Sequence, residues 1–276
     1  MPISLPFWRR RTPTVPLVRL AGVVGMRARP VGPEAVTATG IVPVLRRAFS
    51  ARGAKAVALA INSPGGSPVQ CGLISREVRH LAAKHDLPVL AFVEDIAASG
   101  GYWLACAADE IFALSSSVVG SIGVINAGFG FPQLLERFGV ERRVYAEGKH
   151  KGMMDPFSPV REEDVAVLQA VLKDIRTDFL EHVQERRGAR LKNDPEQVFS
   201  AAVWSGRGAL NLGLVDALGD MGTVLRDRFG DNVRVRDFTP KRRWFRSPLG
   251  AHRGAALAAG LLDELEERAL YARYGL

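Results

Sequence analysis

Cysteine is nearly missing from this chain: 276 residues contain two, Cys71 and Cys106, both in apolar surroundings. Nothing here supplies a disulfide framework or a thiolate metal cluster, and a reduced buried thiol behaves as a small hydrophobe. The scarcity fits a reducing compartment. Long hydrophobic runs are also missing. A bilayer span needs about 20 consecutive apolar residues. The stretch 15–26 is shorter and is broken by Arg19. No apolar core with a small-residue cleavage site follows the N-terminal arginines, so the sequence reads without a secretory leader. The expected location is the cytoplasm, or a membrane surface held peripherally. Histidine is sparse, with five residues, and neither an internal repeat nor a low-complexity segment occurs.

What is present is an ordinary globular mixture, 47% apolar and 24% charged, with a net charge of +8. The length suffices for a sizeable core. Most basic residues are dispersed, so no nucleic-acid partner is expected. Two clusters stand apart: Arg9, Arg10 and Arg11 after Phe7-Trp8, and Lys241, Arg242 and Arg243 before Trp244-Phe245. Cations beside aromatics suit a bilayer interface, although a solvated terminal arm is the simpler reading.

Hydrophobic periodicity sets the element order. Strands are expected over 15–24, 56–61, 88–93, 110–113, 118–125, 142–145 and 233–238. Helices are expected over 34–51, 69–84, 99–107, 132–138, 206–212 and 222–229, with a long one carrying the stripe Val165, Leu168, Leu172, Ile175, Phe179 and Val183. A further amphipathic helix is expected over 251–273. The alternation argues for an α/β layer structure around a mainly parallel sheet. The expected organisation is a basic arm over 1–14, one α/β domain over 15–240 and a helical tail over 241–276.

Two glycine-rich turns follow two buried strands: Asn62-Ser63-Pro64-Gly65-Gly66 and Ala97-Ala98-Ser99-Gly100-Gly101-Tyr102. Ligands bind at the carboxyl ends of strands in open α/β sheets, so the turns should lie side by side. Glycine lets backbone N–H groups approach a ligand closely, and acyl transfer needs such donors for its oxyanion. Ser99 at a helix start also reads as a plain N-cap. For a general base, His150 and Lys151 share the irregular loop 146–159, and neither is singled out by spacing alone. No metal or cofactor site is expected.

Five ordered motifs carry a resemblance. They are Asn62-Ser-Pro-Gly-Gly, Asp95-Ile-Ala-Ala-Ser-Gly-Gly-Tyr, Ala108-Asp-Glu-Ile, Gly120-Ser-Ile-Gly-Val-Ile and Gly148-Lys-His-Lys-Gly. In order and spacing they resemble the signal peptide peptidase A family, over about residues 15–240. The resemblance implies a crotonase/Clp-protease-like superhelix of ββα units. It also implies a serine-lysine dyad, with Ser99 as nucleophile, Lys151 as base and Ser121 orienting the base. Gly65 or Gly66, with the N–H of Gly100, would form the oxyanion hole. Implied substrates are hydrophobic peptides with small apolar residues, and the implied assembly is a ring of identical subunits. Two rival readings are an acyl-coenzyme A hydratase or isomerase on a similar fold, and a non-catalytic oligomeric scaffold.

Overall fold

The computed structural model describes residues 12–25, 35–192, 195–239 and 268–276. The basic clusters and most of the expected 251–273 helix lie outside the described residues. The chain divides into two compact units: residues up to Ile122 with His182–Leu276, and Gly123–Glu181.

The first unit holds the sheet. In chain order its elements begin β1 (Thr14–Ala21), α1 (Ala38–Phe49), β2 (Val57–Ser63), α2 (Pro68–His85), β3 (Val89–Ala98), α3 (Gly100–Ala105), β4 (Glu110–Ala113) and β5 (Val118–Gly120). The strands pair in the order β6-β5-β3-β2-β1-β8, where β6 is Val203–Ser205 and β8 is Arg234–Asp237. Strand β4 pairs with β3 and with β7 (Ala217–Leu218). Every pairing is parallel except β5 with β6. The expected mainly parallel α/β architecture is thus present. Strands β2 and β3 are buried almost throughout, as parallel strands covered on both faces must be.

Strand β3 reaches five residues beyond its expected end. It pairs with β4 through Leu90–Val93, then with β5 through Ile96–Ala98. Between them, Glu94 and Asp95 interrupt the apolar run, and the register to β2 shifts. Ser117 bridges the interruption: its Oγ donates to the Glu94 carbonyl at 2.6 Å and accepts from Leu114 N–H at 3.1 Å. Arg19 pairs with Glu94 at 2.7 Å, and Asn62 Nδ2 donates to Asp95 at 2.7 Å. The bend lets β3 carry its C-terminal end into the site.

Two expected strands need correction. Residues 142–145 form no strand. Arg142 is drawn to Asp155 at 2.9 Å and Arg143 to Glu141 at 2.6 Å, while Val144 and Tyr145 are exposed. A strand needs a neighbour to ladder with, and this segment has none among the described residues. The strand expected over 118–125 stops at Gly120, because Ser121 adopts φ +53° and turns the chain away. Helix α1 starts later than expected, at a cap where Thr37 Oγ1 accepts from Gly40 N–H at 3.1 Å. It continues through Pro43 because Ile41, Val44, Leu45, Ala48 and Phe49 bury one apolar face.

The second unit holds α4 (Pro132–Arg137) and most of α5 (Glu162–Arg187). The last turns of α5 belong to the first unit. The first unit also holds α6 (Pro195–Val198), α7 (Gly206–Leu212) and α8 (Met221–Phe229). Buried Arg187 ties α5 down, with Nη1 on Asp216 at 2.8 Å and Nη2 donating to the Gly213 carbonyl at 2.7 Å.

Candidate active site

Strands β3 and β5 end in register, Ala98 opposite Gly120. The next residue on each strand is a serine with positive φ: Ser99 at φ +52°, ψ −121°, and Ser121 at φ +53°. Such a conformation costs a non-glycine residue about 1–3 kcal/mol and persists only where neighbours enforce it. Here Ser99 N–H donates to the Gly120 carbonyl at 2.8 Å, and Ser121 N–H to the Ala202 carbonyl at 2.7 Å.

Ser99 occupies the N-cap position of α3, yet its side chain makes no capping bond. The plain N-cap reading is therefore not what the hydroxyl does. It stays available at the positive end of the helix. The C-terminal end of α3 is satisfied by α5. His182 Nε2–H donates to the Trp103 carbonyl at 3.0 Å, and its ring stacks on the indole at 5.2 Å. Arg186 Nε–H donates to the Cys106 carbonyl at 3.0 Å. Burial holds the His182 pKa below its ordinary value, with the bond to Trp103 opposing. Sequence periodicity placed His182 off the apolar stripe and gave it no role. Its partner became visible only when α3 and α5 met.

The first glycine turn packs against the second, as expected. Gly65 has φ +109°, and a Cβ there would stand 2.8 Å from both Gly100 N and Ser99 Cβ. The Gly65 N–H is already committed, donating to Ser63 Oγ at 3.2 Å. Among the described residues, neither the Gly66 nor the Gly100 N–H has an acceptor. The Gly100 backbone packs close against the Gly66 donor: a Cβ on Gly100 would sit 3.2 Å from Gly66 N. The sequence left Gly65 and Gly66 equivalent; the hydrogen bonding separates them. Cys71 packs beneath Gly100, and burial pushes its thiol up to about 12. It remains a neutral thiol, not a competing nucleophile.

Lys151 lies in the second unit, in successive turns closed by Lys151 N–H on the Gly148 carbonyl and Met153 N–H on the His150 carbonyl, both 3.1 Å. Its neighbours are tied to the first turn of α5. Lys149 pairs with Glu163 at 2.7 Å, and His150 Nδ1 with buried Asp164 at 2.6 Å. The bond to His150, joined by Arg161, holds the Asp164 carboxyl below its ordinary range. Of the triplet, Lys151 is the member whose side chain has no partner among the described residues. Donor atoms of His150, Glu163 and Asp164 lie within 4.8 Å of one another. Both carboxylates already face cations, so the cluster is an ion-pair network. The structure therefore brings Ser99, Ser121, Gly65, Gly66 and Gly100 together, and presents Lys151 on a separate unit.

A model of peptidase family S49 matches residues 82–229. The chain is 46% identical over 276 residues to a protein of Brucella melitensis named Na(+)/H(+) antiporter NhaA, covering 95% of this chain and 37% of that protein. It is 34% identical over 165 residues to a putative protease of Methanocaldococcus jannaschii, covering 60% of this chain and 52% of that one. It is 33% identical over 175 residues to the putative signal peptide peptidase SppA of Enterococcus faecium, covering 63% and 50%. The chain thus spans about half or less of these relatives' lengths. No helix among the described residues is long and apolar enough to cross a membrane. Two solved structures are similar, both of a 1510-N membrane-bound stomatin-specific protease. A serine-to-alanine mutant aligns with TM-score 0.53 and 15% identity over 83% of this chain and 99% of that one. A lysine-to-alanine mutant with a substrate peptide aligns with TM-score 0.54 and 12% identity, over 92% and 99%. At such identities the likeness is one of fold.

Proposed function

The chain belongs to peptidase family S49, and from that premise we propose that it is a serine endopeptidase with Ser99 as nucleophile and Lys151 as general base. One observation carries the reading. An uncapped, conformationally enforced serine hydroxyl stands beside two backbone N–H groups that have no acceptor among the described residues.

Ser99 Oγ attacks the substrate carbonyl carbon while Lys151 Nζ takes the hydroxyl proton. The carbonyl oxygen becomes an oxyanion and accepts from the N–H groups of Gly66 and Gly100. Each such donor is worth about 100–1000-fold in rate. Collapse breaks the C–N bond, and the departing amine takes its proton from Lys151. Water, deprotonated by Lys151, then hydrolyses the acyl-enzyme. The Ser121 hydroxyl orients the lysine. Ala97, Ala98 and Gly120 leave little bulk near the nucleophile, which supports small apolar residues at the scissile bond. The name of the Enterococcus relative supports hydrophobic peptides as the substrate class.

The second unit exposes Phe129, Phe138 and Tyr145, and it also carries a groove of about 700 Å³ lined in part by Leu135, Val140 and Phe157. These apolar surfaces support self-association into a ring.

Hydrolysis of an apolar peptide ester tests the dyad. Ser99→Ala and Lys151→Ala should each lose about 1000-fold or more, with the double variant no worse. Lys151→Arg should be equally inactive, because arginine does not deprotonate. Undiminished turnover in any of them overturns the assignment.

A further inference from the structure

The strand ends around Ser99 have a second occupant, from far along the chain. Residues 268–272 form a helical turn. Within 268–276, Leu270, Tyr271 and Tyr274 are half-buried and the rest exposed, a spacing of three and four that marks one helix face. Tyr271 Oη donates to the Asn62 carbonyl at 2.9 Å, and Tyr274 Oη donates to Ser121 Oγ at 3.3 Å.

The two acceptors flank the nucleophile. Asn62 is the penultimate residue of β2, and Ser121 follows β5 directly. In the order β5-β3-β2, the strand that delivers Ser99 lies between them. Neighbouring strands are about 4.8 Å apart, so the two anchors are about 10 Å apart across the sheet. A segment bonded to both spans the crevice outside the carboxyl ends of the strands, where ligands enter such sheets.

We infer that residues 268–276 are an autoinhibitory strap, bonded at β2 and at Ser121, which a peptide substrate must displace to reach Ser99. The inference rests on the peptidase reading and adds a regulator to that site. Both bonds are between neutral groups and release readily. The strap therefore lowers the competent fraction, and with it apparent affinity, without altering the chemistry once displaced.

The test uses the full chain carrying Tyr271→Phe and Tyr274→Phe, which keeps the rings and removes both hydroxyls. KM for a peptide ester should fall roughly tenfold with kcat unchanged, from the loss of two modest hydrogen bonds. A synthetic peptide of residues 268–276 should inhibit the double variant competitively. An unchanged KM without inhibition in trans overturns the strap. So does a fall in kcat, which would make Tyr274 a positioning residue for Ser121. Labelling by a serine-reactive phosphonate separates the two failures. Equal labelling rates in both chains overturn the strap alone. No labelling of either overturns the peptidase reading, and the strap with it.

Discussion

Ser99 and Ser121 both hold a positive φ at the ends of adjacent strands, and main-chain hydrogen bonds keep each there. That arrangement depends on what lies opposite. Gly65→Ala would drive a Cβ to 2.8 Å from Ser99 Cβ and Gly100 N at a φ that disfavours any side chain. It should cost about 1–3 kcal/mol in urea unfolding and at least tenfold in kcat/KM; wild-type values for both would contradict the packing. His182 gives a pH signature. Its folded pKa lies below the ordinary 6.5, so the unfolded chain binds the extra proton between those values. Stability is then full above pH 6.5 and falls as pH drops through that window. A His182→Gln variant should lose less of its melting temperature than wild type between pH 7 and the folded pKa. Identical slopes would remove His182 from the account. The sequence singled out Ser99 and both glycine turns because glycine pairs and strand ends are local signals. It could not show that Gly65 N–H is spent on Ser63 while Gly66 N–H is not, since that depends on side-chain placement.

Strand β3 is the element that sets the geometry. Read linearly, Glu94 and Asp95 end an apolar strand; in space they are the bend where β3 exchanges β4 for β5. The polar side chains are absorbed by Arg19 and Asn62, from β1 and β2, which no local window contains. Ser117 closes the bend from within the core. Ser117→Ala leaves the Leu114 N–H without its acceptor and the Glu94 carbonyl without its donor. The expected cost is about 1–3 kcal/mol, read by chemical denaturation, with a fall in kcat from the shifted end of β3. A stability within about 0.3 kcal/mol of wild type would show that the bend does not need this serine. The segment 142–145 fails as a strand for a local reason: its arginines are taken up by nearby carboxylates, Arg142 by Asp155 and Arg143 by Glu141.

At the scale of the molecule, the parallel sheet was legible because buried strands alternate with amphipathic helices along the whole first unit. The division into two units was not, because α5 runs through the boundary as one uninterrupted helix. The proposed self-association belongs to this scale. Phe129→Glu with Tyr145→Glu should reduce the mass seen by light scattering to that of one chain; an unchanged oligomer would place the interface elsewhere. Arg187 illustrates what sequence patterning conceals. It stands at the end of a long helix, yet it is buried on Asp216 and Gly213 and ties α5 to the segment between α7 and β7.

The central claim is that Ser99 is a nucleophile activated by Lys151. Mass spectrometry of the full chain after exposure to a serine-reactive phosphonate tests it most directly. The account predicts one adduct, mapped to Ser99, absent from Ser99→Ala and formed at least 100-fold more slowly in Lys151→Ala. An adduct on another residue, or labelling of Lys151→Ala at the wild-type rate, would contradict it.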